Sequence, residues 1–484
     1  MAFDQLSDFL QKLAHTGELV RIPQEIDPRH QISAITSEAR RSDALGGPAV
    51  LFESVKGSRV PVVTNLLGTP GRVLLALGDE SFEAAGQRLD EWLTPRVPDA
   101  TADSKFAPVF ARLAKLVPRS QKTAFSQQVA RLGRDINLHE LPFPRSFPGE
   151  TGPTVTCAQL WLTSPETGLK WISAPVLEVG GPQSLLVHWP LTDRGPDIVD
   201  EYRQQNQPTP VMISIGGDPL LHLAAQLPGI PDTDACQLAS VLRGQTLNVV
   251  RGRTLELEGP ADADFLVEGY IDPQEIDAAQ GTVASPSGLL VTRQRLAVIR
   301  VTAVTHRSQP VLPYVVHASG NSEEAAWAPL LSQLLLPVMR RIHPGVQTFQ
   351  FSRDGQGRRI AFVGLRTRFP GHARRILQGL AQWPALADVM LLIGVDEDVA
   401  IHDSSTIWQH VAQMSDPVSD FLTVTTVRDS SHRACHDLSR AGTLLIDATR
   451  KPDPRTGEWI ELADLTPESR EAAAIFWRSI RGER

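Results

Sequence analysis

Near the start of the chain, Leu6, Phe9, Leu10 and Leu13 recur at helical spacing, which predicts a helix over residues 4–15 with one buried face. Gly17 follows where such a helix can end. Glu18-Leu19-Val20-Arg21-Ile22 alternates polar and apolar, as a half-buried strand does. Gly46-Gly47-Pro48 punctuates, and Ala49-Val50-Leu51-Phe52 reads as a buried strand. Residues 61–68 read as another strand running into a turn, and 82–95 as a helix. The first third is therefore mixed α/β.

Residues 95–150, rich in Pro, Arg and Ser, read as a connecting arm. From about 150 to 310 short β-type runs dominate: 154–162, 170–179, 184–188, 210–215, 246–257, 264–271 and 295–305. Many short strands with Gly and Pro turns favour a barrel or sandwich. One helix, 219–227, starts with Asp218 as N-cap and Pro219 in its first turn. The last third alternates helix 325–342, strands 346–352 and 359–366, helix 371–382, strand 388–395, helix 404–413, and strands 421–426 and 443–447. That order predicts a doubly wound α/β domain. A final helix over 466–481 offers Ala472, Ala473, Ile475, Phe476 and Ile480 for packing.

The chain has 484 residues, enough for two to four domains and a large core. A net charge of -8 argues against a general nucleic-acid surface, which needs a basic face to displace phosphate counterions. The three cysteines, Cys157, Cys236 and Cys435, are far apart, so neither a structural zinc site nor a disulfide framework is expected. No apolar run reaches the ~18–20 residues of a membrane span, and the first residues form an amphipathic helix rather than a signal peptide. The expectation is a cytoplasmic protein.

A series of segments resembles the UbiD family, decarboxylases that use prenylated flavin mononucleotide. They are Gly47-Pro48-Ala49-Val50-Leu51-Phe52-Glu53, Asn65-Leu66-Leu67-Gly68-Thr69-Pro70, Ile136-Asn137-Leu138-His139-Glu140-Leu141-Pro142 and Gly216-Gly217-Asp218-Pro219. Pro231-Asp232-Thr233, Leu242-Arg243-Gly244 and Glu268-Gly269-Tyr270-Ile271 follow. The last are Pro370-Gly371-His372-Ala373-Arg374-Arg375, Val395-Asp396-Glu397-Asp398-Val399 and Ile446-Asp447-Ala448-Thr449. The order holds over nearly the whole chain. The resemblance implies an N-terminal α/β domain over 1–120, a central flavin-binding-type split β-barrel over 121–312 and a C-terminal α/β oligomerisation domain over 313–484. It also implies a homo-oligomer.

The family reaction is non-oxidative decarboxylation of aromatic or unsaturated acids. The resemblance implies a prenylated flavin that accepts electrons through a covalent adduct. A Glu-Arg-Glu set supports proton transfer, and a divalent metal and potassium, held by an Asn, a His and a Glu, anchor the flavin phosphate beside a Lys. Carried over residue by residue, the two loop acids fall on Ser285 and Leu289 of Ser285-Pro286-Ser287-Gly288-Leu289. The Asn and Arg fall on Leu169 and Ala174, and no Arg lies between Ser146 and Arg194. The metal-binding Glu falls on Cys236, the metal-binding His near Thr192 or Asp193, and the phosphate Lys on Thr443. Burying a flavin phosphate without partners is costly, so we expect the cofactor and its metals not to bind in the family manner.

Other clusters have simpler readings. Asp396-Glu397-Asp398 with His402 and Asp403 resembles a metal cluster but matches an ordinary acidic turn of the family. His372 fixes a helix start, Cys435-His436-Asp437 are adjacent rather than facing, and Gly180-Gly181 and Gly216-Gly217 lack phosphate-loop spacing. Lys170, His188 and Asp193 lie nearest the former flavin cleft and could line a pocket for another ligand. Three readings stand at this point: a catalytically degenerate paralogue serving beside an active homologue, an active carboxy-lyase with a rearranged site, or a small-molecule binding protein using the emptied cleft.

Overall fold

The computed structural model describes residues 3–43, 46–93, 116–190, 193–226, 235–318, 322–355, 357–425, 442–453, 455–459, 463 and 466–481. The first helix, Leu6–His15, buries Leu6, Phe9, Leu10 and Leu13, the face its spacing predicts. Strands Leu19–Ile26, Ala49–Val55 and Val62–Thr64 form a sheet whose fourth strand, Leu312–Tyr314, returns from the far end of the barrel segment. Helix Gln31–Arg41 is absent from the sequence reading for a clear reason. Its buried face carries Ser33, Thr36 and Arg40 beside Ile32, so it shows no apolar stripe.

The central segment folds into a curled, open sheet of ten strands, running from Thr154–Val155 at one edge to Lys170–Ser173 at the other. Its spine is the 17-residue strand Leu290–His306, which pairs with Ser184–His188, Phe265–Ile271, Ala279–Ala284 and Val129–Leu132. Alternation puts Val211, Ile213 and Ile215 into the sheet's inner core, while Met212 faces a helical layer. That layer includes Pro219–Ala225 and Ala235–Arg243. The run 170–179 splits at Ala174-Pro175, where proline has no N–H for the ladder. Only Asn248–Arg251 of the run 246–257 is a strand.

The connecting helix, Ala328–Ile342, leads to a five-stranded sheet. Strands Ile360–Leu365, Leu391–Asp396 and Gly442–Asp447 run parallel at its centre, with antiparallel Val346–Phe351 and Phe421–Thr425 at the edges. Helix His372–Ala381 covers one face and Ser404–Met414 the other. The last helix, Pro467–Arg481, leaves Ile475, Phe476, Trp477 and Ile480 largely exposed.

Arg72 ties the first domain together. Its side chain is buried and donates to the carbonyls of Leu66, Asn65 and Gly47 and to Glu18. Arg72→Ala should lower the free energy of unfolding by about 3–5 kcal/mol, because three buried carbonyls lose their donor. Urea melts of the purified variant check this; a loss under about 1 kcal/mol would contradict it.

Candidate functional site

The family-like segments build a frame of buried polar contacts. Asn65 sits at a φ of 53° and donates its amide to the carbonyls of Gly46, Gly47 and Pro48. A Cβ on Gly68 would lie 1.8 Å from Asn65 Oδ1, so this turn needs glycine. Asp218 caps its helix by accepting from Leu220 N and meets Arg243 Nη1 at 2.8 Å, joining two segments 25 residues apart. Glu268 is fully buried and accepts from the backbone N–H groups of Arg253, Thr254 and Leu255. Asp396 accepts from Arg450 N, so the acidic turn and the segment after Ile446-Asp447-Ala448-Thr449 hold each other. Glu397 pairs with Arg366, Asp398 with Arg450, and Asp403 caps Ser405 N. His372 accepts from Arg368 N and stacks on Phe369. Cys435-His436-Asp437, Pro231-Asp232-Thr233 and Thr192 lie outside the described residues.

The structure gathers some cleft candidates and separates others. His188 ends a barrel strand, and its Nε2 lies 2.9 Å from Glu178 Oε2, with both side chains buried. Asp193 accepts from Trp171 Nε1 (3.1 Å), Gly195 N (2.7 Å) and Ser173 Oγ. Burial pushes its carboxyl above the usual range despite these donors. Ala174 follows Ser173 directly, and Lys170 begins the same strand with its ammonium 3.0 Å from Glu258. Ser285 and Leu289 close a hairpin turn through Ser285 N to Leu289 O (2.8 Å), with Ser285 Oγ against Ser287 Oγ. That hairpin reaches the His188 neighbourhood through Arg293, which donates to Trp189 O, and through Gly281. A Cβ on Gly281 would meet Glu178 Oε2 at 2.0 Å. Cys236 is buried in helix Ala235–Arg243, and Thr443 lies in the C-terminal sheet, donating its hydroxyl to Val389 O.

This set does not fit a flavin phosphate and its metals. Thr443 is a buried hydroxyl already committed to a carbonyl, and Asp193 is a carboxylate saturated by protein donors. Lys170 faces an acid at the barrel's edge strand. Among the described residues no group of three His, Cys, Asp or Glu side chains could hold a metal.

Four buried acids, Glu150, Glu178, Glu323 and Glu324, escaped the sequence reading, since nothing in spacing marks a single Glu as interior. Glu178 is the partner of His188. Glu150 accepts from Ser146 N, Phe147 N and Ala284 N, one residue before the Ser285 turn, and burial raises its carboxyl. Glu323 accepts from Leu67 N at 2.7 Å, and burial pushes it up to about 7 although Arg40 and Arg72 draw it down. Its neighbour Glu324 behaves oppositely: burial raises it, but His317, 2.8 Å away, outweighs this and holds it at about 2. The signal that could have found these acids is their placement inside otherwise apolar or turn-rich segments.

Comparison with known proteins gives a consistent result. The family models of 3-octaprenyl-4-hydroxybenzoate carboxy-lyase match as an N-terminal domain over residues 10–90, a Rift-related domain over 117–320 and a C-terminal domain over 326–448. An uncharacterized protein of Aquifex aeolicus is 28% identical over 478 residues, 98% of each chain. The closed form of the vanillic acid decarboxylase of Sedimentibacter hydroxybenzoicus superimposes with a TM-score of 0.84 at 20% identity, covering 99% of this chain and 100% of that one. The UbiD-class enzyme HmfF of Pelotomaculum thermopropionicum, in an evolved dimeric form with prFMN, gives 0.73 at 24% identity, covering 96% and 99%.

The raised acid at Glu323 has a definite pH signature. Its folded value exceeds the unfolded one, so its contribution is complete below about pH 4.5 and is lost as pH rises through about 7. Between pH 5 and 8 the native protein should lose about 2 kcal/mol relative to Glu323→Gln. Urea melts across that range check it, and parallel stability curves for the two proteins would contradict it.

Proposed function

Because the chain belongs to the 3-octaprenyl-4-hydroxybenzoate carboxy-lyase (UbiD) family, we propose that it is a non-catalytic member, keeping the family frame and serving as a subunit beside an active homologue. The observation that carries this reading is the simultaneous replacement of the chemistry-bearing positions. Ala174 stands where the substrate-holding Arg is expected, and Ser285 and Leu289 where the two acids are. Thr443 stands in place of the phosphate Lys, Cys236 in place of the metal-binding Glu, and Asp193 near the metal-binding His. Electrostatics makes these losses act together. Without cations the phosphate pays its full desolvation cost, and without the acids no proton is delivered where carbon dioxide leaves. The frame contacts of Asn65, Asp218, Glu268 and Asp396 are intact, which supports a role that needs the fold rather than the reaction.

Assembly is the second part of the proposal. Ile475, Phe476, Trp477 and Ile480 are each about 60% exposed or more on the last helix, more apolar surface than one soluble helix usually leaves uncovered. A homo-oligomer, or a complex with an active homologue, would bury it. One specific observation favours a second reading, an active carboxy-lyase with a rearranged site. Glu150, from the loop before Thr154–Val155, and the Glu178–His188 pair, from two strands, approach the hairpin and could replace the missing acids.

Coexpression with an active family member from the same organism tests the first reading. We expect a stable stoichiometric complex, and no carbon dioxide release from aromatic acids by this chain alone. Release by the chain alone, abolished in Glu150→Gln or Glu178→Gln, would replace the first reading with the second. Combining Ala174→Arg, Ser285→Glu and Leu289→Glu should leave the chain inactive, since the phosphate and metal positions are also changed. Turnover by that triple variant, measured as carbon dioxide release, would contradict the account of the cofactor site.

A further inference from the structure

The C-terminal sheet carries a concavity separate from the barrel cleft. An open cleft of about 320 Å³ lies at the carboxyl ends of strands Ile360–Leu365 and Gly442–Asp447. Loops diverge at that end of parallel strands, which is why α/β sheets receive ligands there. Thr443 sits near the amino end of the second strand, about 13 Å along it from Asp447, so the position of the family's phosphate Lys points elsewhere.

The cleft floor is apolar, made by Leu377, Leu422 and Leu445. Phe369 and Trp459 form part of its wall, each with nearly half of its surface in water. Its charges are unequally matched. Lys451 is held by the carbonyls of Met414, Asp447 and Thr449 and lies 3.3 Å from Asp420 and 3.8 Å from Asp447, so it offsets part of the charge of the two carboxylates of the lining. Arg450 pairs with Asp398. Arg374, exposed on the first turn of helix His372–Ala381, is the lining cation that pairs with no carboxylate among the described residues. No side chain caps that helix start, so its positive end adds to the same potential.

We propose that this cleft binds a planar organic anion, a ring bearing one phosphate or carboxylate, with the anionic group on Arg374 and the ring against Phe369 and Trp459. A guanidinium suits either group, the aromatic faces suit a flat ring, and the volume is that of a small-molecule site. The proposal stands independently of the reading of the barrel cleft.

Calorimetric titration of the full-length protein tests it, using AMP and 2-naphthoate as anions and adenosine and 2-naphthol as their uncharged controls. At least one anion should bind saturably at one per chain, tenfold or more tighter than its control. Arg374→Gln and Trp459→Ala should each weaken it tenfold or more. AMP alone would identify a phosphate ligand, and 2-naphthoate alone a carboxylate ligand. Arg374 is exposed, so its variant should melt as the native protein does, and a melting curve verifies this. Absence of binding by both anions, or binding unchanged in a properly folded Arg374→Gln, would overturn the proposal.

Discussion

A guanidinium that loses its water must find fixed acceptors, and the N-terminal part of this protein is arranged around that demand. Arg72 gathers the carbonyls of Gly47, Asn65 and Leu66, which fixes the turn before one strand and the turn after another. Leu67, in the same turn, donates its N–H to Glu323 and receives Trp327 Nε1 on its carbonyl. Glu323 and Trp327 lead into the helix Ala328–Ile342, so one buried network connects the first sheet to the C-terminal domain. Charge compensation is shared, since Arg40 and Arg72 both act on Glu323. Such a network contributes little net stability as a set, but loss of one member leaves the others buried and unmatched.

The same logic separates frame from chemistry. The motifs that make the family legible are those whose side chains satisfy backbone groups: Asn65 on three carbonyls, Glu268 on three N–H groups, and Asp218 between a helix start and Arg243. A fold cannot give these up without exposing unpaired polar groups in its interior. Residues that only touch a cofactor carry no such structural duty. Ala174, Ser285 and Leu289 occupy an edge and a turn that close well without acids or a cation. On the proposed reading the chain keeps the architecture while its reactive positions change.

Much of the architecture is legible in the sequence because periodicity reports burial. Leu6–Leu13, the barrel strands and the alternating C-terminal elements all carry apolar patterns at the period of their structure. Helix Gln31–Arg41 is not legible, since a buried face of Ser, Thr and Arg looks like solvent-facing sequence. The run 246–257 reads as one strand, yet Glu268 folds residues 253–255 around its carboxylate, a contact made from the next barrel strand. The site is legible only in part. His188 and Asp193 each find polar partners within the barrel segment, but those partners, Glu178 for the first and Trp171 and Ser173 for the second, are ones that spacing alone does not reveal.

On the proposed reading this scaffold does not hold the family's cofactor. Native mass spectrometry and an absorbance spectrum of the full-length protein, coexpressed with a flavin prenyltransferase, test it directly. The account predicts a colourless protein at its apo mass or a multiple of it. A stoichiometric mass increment matching prenylated FMN, with a flavin chromophore, would contradict it and put the decarboxylase reading first.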